Sequence, residues 1–546
     1  MALSLGLSAA THGMRMLADN VCSTGVFSCS YGLSTFESSG KYPKAFSQDT
    51  CANYDGRYVD TDGSYGLLVV TAIFAAAMAF SIGGNDGANA WATTIHSFAI
   101  KFRPAVILAA VFEALGATTI GYGVSGSIQK GITNLTNPEC FACGFCNSSM
   151  SLYYIGMMAS LISASMFLIA ATWLKMPVST THAIVSSVFG MTIVFHGFGC
   201  IKMGWDNLGG VIASWFISPV LSGVMAVIIY YIVQFSIFRA SNPRTRAYYV
   251  VPLLYLVVVF VIVFMINVKA PKLKSNPRWY GVIAGLVAGA LAAGIYVIFV
   301  FPRLKKNLPS LSEANRIGLF RVRNSEAEMA GKEEEADADF KGAETPKKLG
   351  LLDGAVARPS LALQEEYEAL SPEQQDAMYL FKYLLVMVAC LQSFSHGSND
   401  TANATAALAA VVNGFKHGLD DCASPESPWW IMLLGGVFLG LGIWFIGHRV
   451  MDTIGKNICI VSFDRAFCTE FASACTVVLA TLLNIPVSTT HCQVGAVIFI
   501  SMAAKESGTI QWKLVFTILF SWIATLPFTA GLAALVAYIL SFAMKA

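Results

Sequence analysis

Two short motifs each occur twice in this chain, in the same order. Asn85-Asp86 with Asn89 recurs as Asn399-Asp400 with Asn403, and Pro177-Val178-Ser179-Thr180-Thr181-His182 recurs unchanged as Pro486-Val487-Ser488-Thr489-Thr490-His491. On a helix, Asn85 and Asn89 share a face, with Asp86 beside Asn89. The carboxylate and amide oxygens of Asn85, Asp86, Asn89, Asn399, Asp400 and Asn403 are hard ligands suited to a small hard cation, sodium for preference. An aspartate inside an apolar span is costly unless paired or hydrated, which makes it functional by default. Gly83 and Gly84 weaken the first helix locally and could free carbonyl oxygens for the ion. The plainer alternative is helix–helix hydrogen bonding by the polar residues and packing by the small ones. The second copy weighs in favour of an ion site.

The proline motif addresses an anion. Proline disfavours a continuous helix through the residue before it, and Ser and Thr are good N-caps. Each copy is expected to end one helix and begin another inside the membrane. A helix N-terminus offers free N–H groups and partial positive charge. Ser179, Thr180, Thr181, Ser488, Thr489 and Thr490 add hydroxyl donors. Two such termini face to face could enclose a small tetrahedral oxyanion without any arginine. For one copy alone, a kink with hydroxyls bonded back to the helix is the better reading. Glu113 and Glu470 lie in or beside apolar segments and could serve a cation, a proton or a structural partner. Asp464 and Arg465 near Glu470 make a surface role its rival. His182 and His491 can titrate near neutrality and are read as hydrogen-bonded supports.

The elements that must position these groups are membrane helices. Of the 546 residues only 12% are Asp, Glu, Lys or Arg, about half the usual share, and mean hydropathy is +0.61. Apolar runs fall at about 67–98, 104–126, 151–174, 183–199, 208–236, 247–267, 279–301, 378–412, 429–447, 466–484, 492–503 and 512–544. Several reach the roughly 20 residues a spanning helix needs. The two short ones, each following a proline motif, read as re-entrant. The expected fold is an all-α membrane protein with about 12 hydrophobic segments. They form two inverted repeats, with broken or re-entrant helices meeting at the midplane. A net charge of +2 gives no sign of nucleic-acid binding.

The chain divides into a Cys-containing extracellular region, 1–66, and a first transmembrane repeat with linking helices, 67–301. A charged cytoplasmic loop, 302–377, and a second repeat, 378–546, follow. Lys101, Arg103, Arg303, Lys305 and Lys306 set the cytoplasmic side, which leaves the N-terminus outside. Lys269, Lys272, Lys274 and Arg278 would fall outside if every segment crosses, against that rule. Cys22, Cys29, Cys51, Cys140, Cys143 and Cys146 lie in polar stretches, the last three beside the sequons at Asn134 and Asn147. They are expected to form a disulfide cap on a glycosylated outer face, with no pairing assignable.

The motifs resemble those of the inorganic phosphate transporter (PiT) family of sodium–phosphate symporters and phosphate permeases. The likeness spans roughly 67–200 and 378–544. It is carried by Gly83-Gly84-Asn85-Asp86-Gly87-Ala88-Asn89-Ala90, by Gly397-Ser398-Asn399-Asp400-Thr401-Ala402-Asn403-Ala404 and by Pro486 to Cys492. Phe112-Glu113-Ala114-Leu115-Gly116 resembles the family's second-helix segment with an essential Glu. Glu470-Phe471-Ala472-Ser473-Ala474 resembles its partner in the second half. The family often has Lys where this chain has Gln493. The resemblance implies alternating-access symport, with phosphate at the Ser/Thr motifs and sodium at the Asn/Asp motifs. No organic cofactor, a plasma-membrane location and, by analogy, a homodimer go with it. Proton coupling through Asp86, Asp400, Glu113 and Glu470 is the rival. An intramembrane enzyme, a channel and a surface receptor are more remote; the Gly-x-Gly-Asp pattern of intramembrane aspartyl proteases is missing at both Asp residues.

Overall fold

The computed structural model describes residues 65–97, 99–137, 139–143, 149–311, 367, 369–417, 427–451, 462–504 and 510–543. Cys22, Cys29, Cys51, Cys146 and Asn147 lie outside them, as does most of the central charged loop. The described residues are helical throughout, with no strand beyond a single bridge between Thr133 and Ile201.

In chain order, α1 (Tyr65–Ile82) runs through a π-helical turn (Gly83–Gly87) into α2 (Asn89–His96). Then come α3 (Phe102–Ile120), α4 (Tyr122–Gly131), α5 (Met150–Trp173), α6 (Thr180–His196) and α7 (Leu208–Val233). A hairpin of α8 (Pro243–Lys269) and α9 (Arg278–Ile295) leads to the short α10 (Phe301–Lys306). The second half holds α11 (Pro372–Leu380), α12 (Lys382–His417), α13 (Trp429–Ile446), α14 (Phe463–Leu482), α15 (Thr489–Ala503) and α16 (Trp512–Ala543). Among the described residues, ten helical stretches are long and apolar enough to cross a membrane, and α6 and α15 are shorter apolar helices. These two are the segments expected to be re-entrant.

Contacts fix which helix ends lie together. At one end of the molecule Ser427 bonds Ser125, Tyr65 meets Phe415, and Cys140 is disulfide-bonded to Cys200. At the other, Gln234 bonds Asp464, and Arg244 pairs with the buried Asp376. The disulfide joins one expected cap cysteine to Cys200, which the cap grouping leaves out because it sits at the far end of an apolar run. The Lys269–Arg278 loop shares the disulfide end. There Lys269 Nζ donates to Asn484 Oδ1 at 2.9 Å and Lys274 lies over the Tyr122 ring.

Packing partners exchange between the halves. Helix α6 lies along α16, and α15 along α7; α5 meets α16, and α14 meets α7; α3 packs on α12, and α13 on α1. Glycines bring α3 and α13 into backbone contact with the motif helices. A Cβ at Gly83 would sit 1.9 Å from the Leu439 carbonyl oxygen, and one at Gly397 2.2 Å from that of Glu113. A Cβ at Gly116 would sit 2.0 Å from the Phe394 carbonyl oxygen, and one at Gly442 1.9 Å from that of Phe80. These contacts come in matched pairs, so Gly116 corresponds to Gly442 and Glu113 to Leu439. The likeness of Glu113 to Glu470 is therefore local. Glu470 stands on α14, the counterpart of α5, where its mate is Leu161. A sequence comparison sees two acidic segments, but their helices occupy different places in the repeat.

Candidate functional site

The site forms where both proline motifs meet both Asn/Asp motifs. Helix α5 stops at Trp173 and α14 at Leu482, and Lys175 and Asn484 turn the chain in the left-handed region, at φ 59° and 57°. An extended stretch then returns to Ser179 and to Ser488. Each serine caps the next helix: Ser179 Oγ accepts from the His182 N–H, and Ser488 Oγ from the His491 N–H. The expected break and restart is thus present in both halves.

Asn85 and Asn399 hold these turns. Asn85 Nδ2 donates to Thr172 Oγ1 and to the Met176 carbonyl, both at 3.0 Å, while its Oδ1 accepts from the Val178 N–H. Asn399 repeats the set with Thr481, Ile485 and Val487. Grouped with the cation ligands in the sequence, these two amides are spent on the turn backbone. The π-turn at Gly83–Gly87 keeps Asn85 and Asp86 within a wound helix, and α12 runs unbroken through Asn399 and Asp400. The expected unwinding at the glycines is limited to this widened turn.

The other motif residues interlock across the halves. Asp86 accepts from the Thr180 N–H at 3.3 Å and from the Thr490 hydroxyl. Asp400 Oδ1 accepts from Thr181 Oγ1 at 3.3 Å and from Asn403 Nδ2 at 3.0 Å. Asn89 Nδ2 donates to Thr490 Oγ1, and Asn403 Nδ2 to Thr180 and Thr181. All these side chains are buried. Three oxygens have no hydrogen-bond partner: Asn89 Oδ1, Asn403 Oδ1 and Thr489 Oγ1. A buried oxygen without a donor is costly to keep, and a hard cation would satisfy it.

Three flanking groups complete the centre. His396, one helical turn before Asp400, has Nδ1 at 2.8 Å from Glu113 Oε1 and Nε2 at 3.3 Å from Asp400 Oδ2. Asp86, His396 and Asp400 bring ligand-type atoms within 4.8 Å of one another. Glu470 Oε1 accepts from Thr93 Oγ1 at 2.5 Å and from Gln493 Nε2 at 2.9 Å. His182 and His491 meet edge to face at 4.6 Å; Nδ1 of each reaches the carbonyl of Trp522 and Trp215 respectively. They are hydrogen-bonded supports, as expected. His396, Thr93 and Gln493 escape a search for repeated motifs, since each has an apolar mate. An intramembrane histidine one turn from a key aspartate is the signal that could have flagged His396.

Chemically, two helix N-termini and six hydroxyl residues offer donors of the kind an oxyanion takes, and two buried carboxylates stand against them. An anion alone would meet repulsion there; an anion with cations would not.

Comparison with known proteins agrees. The model of the PHO4 phosphate transporter family matches residues 82–533. The chain is 32% identical to inorganic phosphate transporter 2-1, chloroplastic, of Arabidopsis thaliana, over 87% of this chain and 72% of that protein. It is 27% identical to the phosphate-repressible phosphate permease pho-4 of Neurospora crassa, over 84% and 95% of the two chains. A solved structure described as the sodium-dependent phosphate transporter superposes with a TM-score of 0.68 at 28% identity, covering 87% of this chain and 99% of that one. The chain is a multi-pass membrane protein, a transporter rather than an enzyme, and it belongs to the phosphate transporter family.

Proposed function

We propose that this protein moves inorganic phosphate by symport with sodium, through alternating access to the centre just described. The observation that carries the reading is Asp86 at the N-terminus of α6. Its carboxylate accepts the Thr180 N–H, a donor that would otherwise serve an oxyanion. Phosphate and cation therefore belong together: cations on the carboxylates free the backbone and hydroxyl donors for phosphate. Ser179, Thr180, Thr181, Ser488, Thr489 and Thr490 form the phosphate cradle. Asp86, Asn89, Asp400 and Asn403 supply cation oxygens, and Asn85 and Asn399 fix the geometry of the two turns. Glu113 acts through His396, and Glu470 through Thr93 and Gln493. The reading extends to a homodimer and to a plasma membrane with Tyr65 on the outer side, supported by the disulfide and the Asn134 sequon at that end.

Phosphate uptake into proteoliposomes under separately imposed sodium and proton gradients tests it. Uptake should follow the sodium gradient and fail with choline at fixed pH. Proton coupling is the second reading, favoured by the Glu113–His396–Asp400 contacts. Uptake that survives choline and collapses with a protonophore would select it.

A further inference from the structure

The two halves share their motifs but not what surrounds them. On the disulfide side the hydroxyls of Thr71, Ser163, Ser187 and Thr405, whose mates are apolar, each bond back to their own helix, whereas on the other side a set of longer polar side chains reaches across between helices. Shared contacts fix the register between the repeats: Asn85 with Asn399, Thr172 with Thr481, Val178 with Val487, and Gly83 with Gly397. From the centre toward the end that carries Arg244 and Asp376 runs a set of six buried polar side chains whose mates toward the disulfide end are apolar. Gln392 answers Met78, His396 answers Ile82, Glu113 answers Leu439, Glu470 answers Leu161, Ser473 answers Ala164, and Gln493 answers Ile184. All twelve are buried. The six apolar mates belong to one continuous hydrophobic core.

The polar members are linked but incompletely satisfied. Gln392 Nε2 donates to Ser473 Oγ, and Glu470 gathers Thr93 and Gln493. Gln392 Oε1, Gln493 Oε1, Glu470 Oε2 and Thr94 Oγ1 have no partner. Such oxygens are expensive to bury dry and are met by water or a passing cation. The apolar mates need nothing and gain from staying packed.

We propose that this polar set is a hydrated passage between the central site and the Arg244 end, and that its apolar counterpart is a dry gate. The inverted repeat supplies two equivalent paths, and side-chain chemistry makes them unequal. The passage stays close to opening, whereas the gate opens only when α1, α5, α6 and α12 separate. This deepens the transport reading and rests on it for what travels along the passage. The asymmetry itself can be measured without transport.

The test is thiol accessibility in the full chain, with Cys390, Cys468, Cys475 and Cys492 replaced. Ser473→Cys and Ala164→Cys are near-isosteric mates, and Gln392→Cys with Met78→Cys is the second pair. A small, membrane-impermeant methanethiosulfonate reagent is applied from each face without phosphate or sodium. Ser473→Cys and Gln392→Cys should react from the Arg244 face about tenfold or more faster than their mates react from the disulfide face, since unmet polar groups favour hydration. Equal rates, faster reaction of Ala164→Cys or Met78→Cys, or no reaction at any of the four would overturn the proposal. A supporting labelling pattern with no phosphate uptake would instead count against the transport reading alone.

Discussion

Asn85 and Asn399 each commit three hydrogen-bonding groups to one turn. Removing the amide by Asn399→Ala orphans the Ile485 carbonyl and the Val487 N–H, at about 1–3 kcal/mol for each group left buried and unmatched, while the Thr481 hydroxyl keeps its bond to the Val477 carbonyl. We expect a lower Tm together with lost uptake. Asn403→Ala leaves the turn intact and leaves Thr181 bonded to Asp400 and to the Val487 carbonyl, so it should weaken cation dependence with a smaller fall in Tm than Asn399→Ala. Thermal melting beside uptake separates the two. Asp86→Asn should likewise alter the sodium dependence of uptake more than its selectivity among oxyanions, and an unchanged sodium curve would remove Asp86 from the cation site. These roles were only partly legible in the sequence. Spacing put Asn85, Asp86 and Asn89 on one helix face, but which amide turns toward the proline motif depends on α5 lying beside α1. The two serines were legible, because a hydroxyl after a proline break can cap only the helix that follows.

At the level of elements, the backbone contacts of α3 and α13 carry the assembly. Gly442 meets the Phe80 carbonyl, and Gly116 that of Phe394. A Gly442→Ala side chain cannot be placed without moving α1 away from α13. Overpacking of this kind costs about 1–3 kcal/mol, and in a transporter it should also reduce uptake. Gly131→Ala, with open space around its Cβ position, should stay within about 0.5 kcal/mol of the parent. A reversed order of stability between these variants would refute the packing described. The hydropathy pattern located these helices within a few residues, and it separated short α6 and α15 from the long spans. It could not show that Gly116 and Gly442 are mates, because α3 and α13 share no motif. That relation rests on shape alone, and its absence from the sequence is why Glu113 and Glu470 look like a pair.

The whole molecule adds a constraint at one end. The disulfide closes a sequence separation of 60 residues, tying the segment after α4 to the turn after α6. Chain-entropy reasoning gives about 4 kcal/mol for such a link, at the upper end of the typical 2–4 kcal/mol. Cys140→Ser with Cys200→Ser should lower Tm while leaving the sodium dependence of uptake unchanged; a changed dependence would mean that the link reaches the central site. Cysteine content alone gave an oxidised cap but no pairing, since Cys200 becomes Cys140's neighbour only through the packing of α5 on α6.

The four rings between α6 and α15 have a consequence for watching the protein work. His182 and His491 each point Nδ1 at a main-chain carbonyl, which can only accept, so the hydrogen of each neutral ring belongs on Nδ1. The indoles of Trp215 and Trp522 lie against these same rings, at 4.0 and 3.7 Å between centroids. If the two short helices part during a cycle, each with the long helix it lies along, both indoles lose their stacking neighbour while both imidazoles keep the carbonyl that fixes their tautomer. The emission of these two tryptophans would then report separation from inside the protein, with no label added.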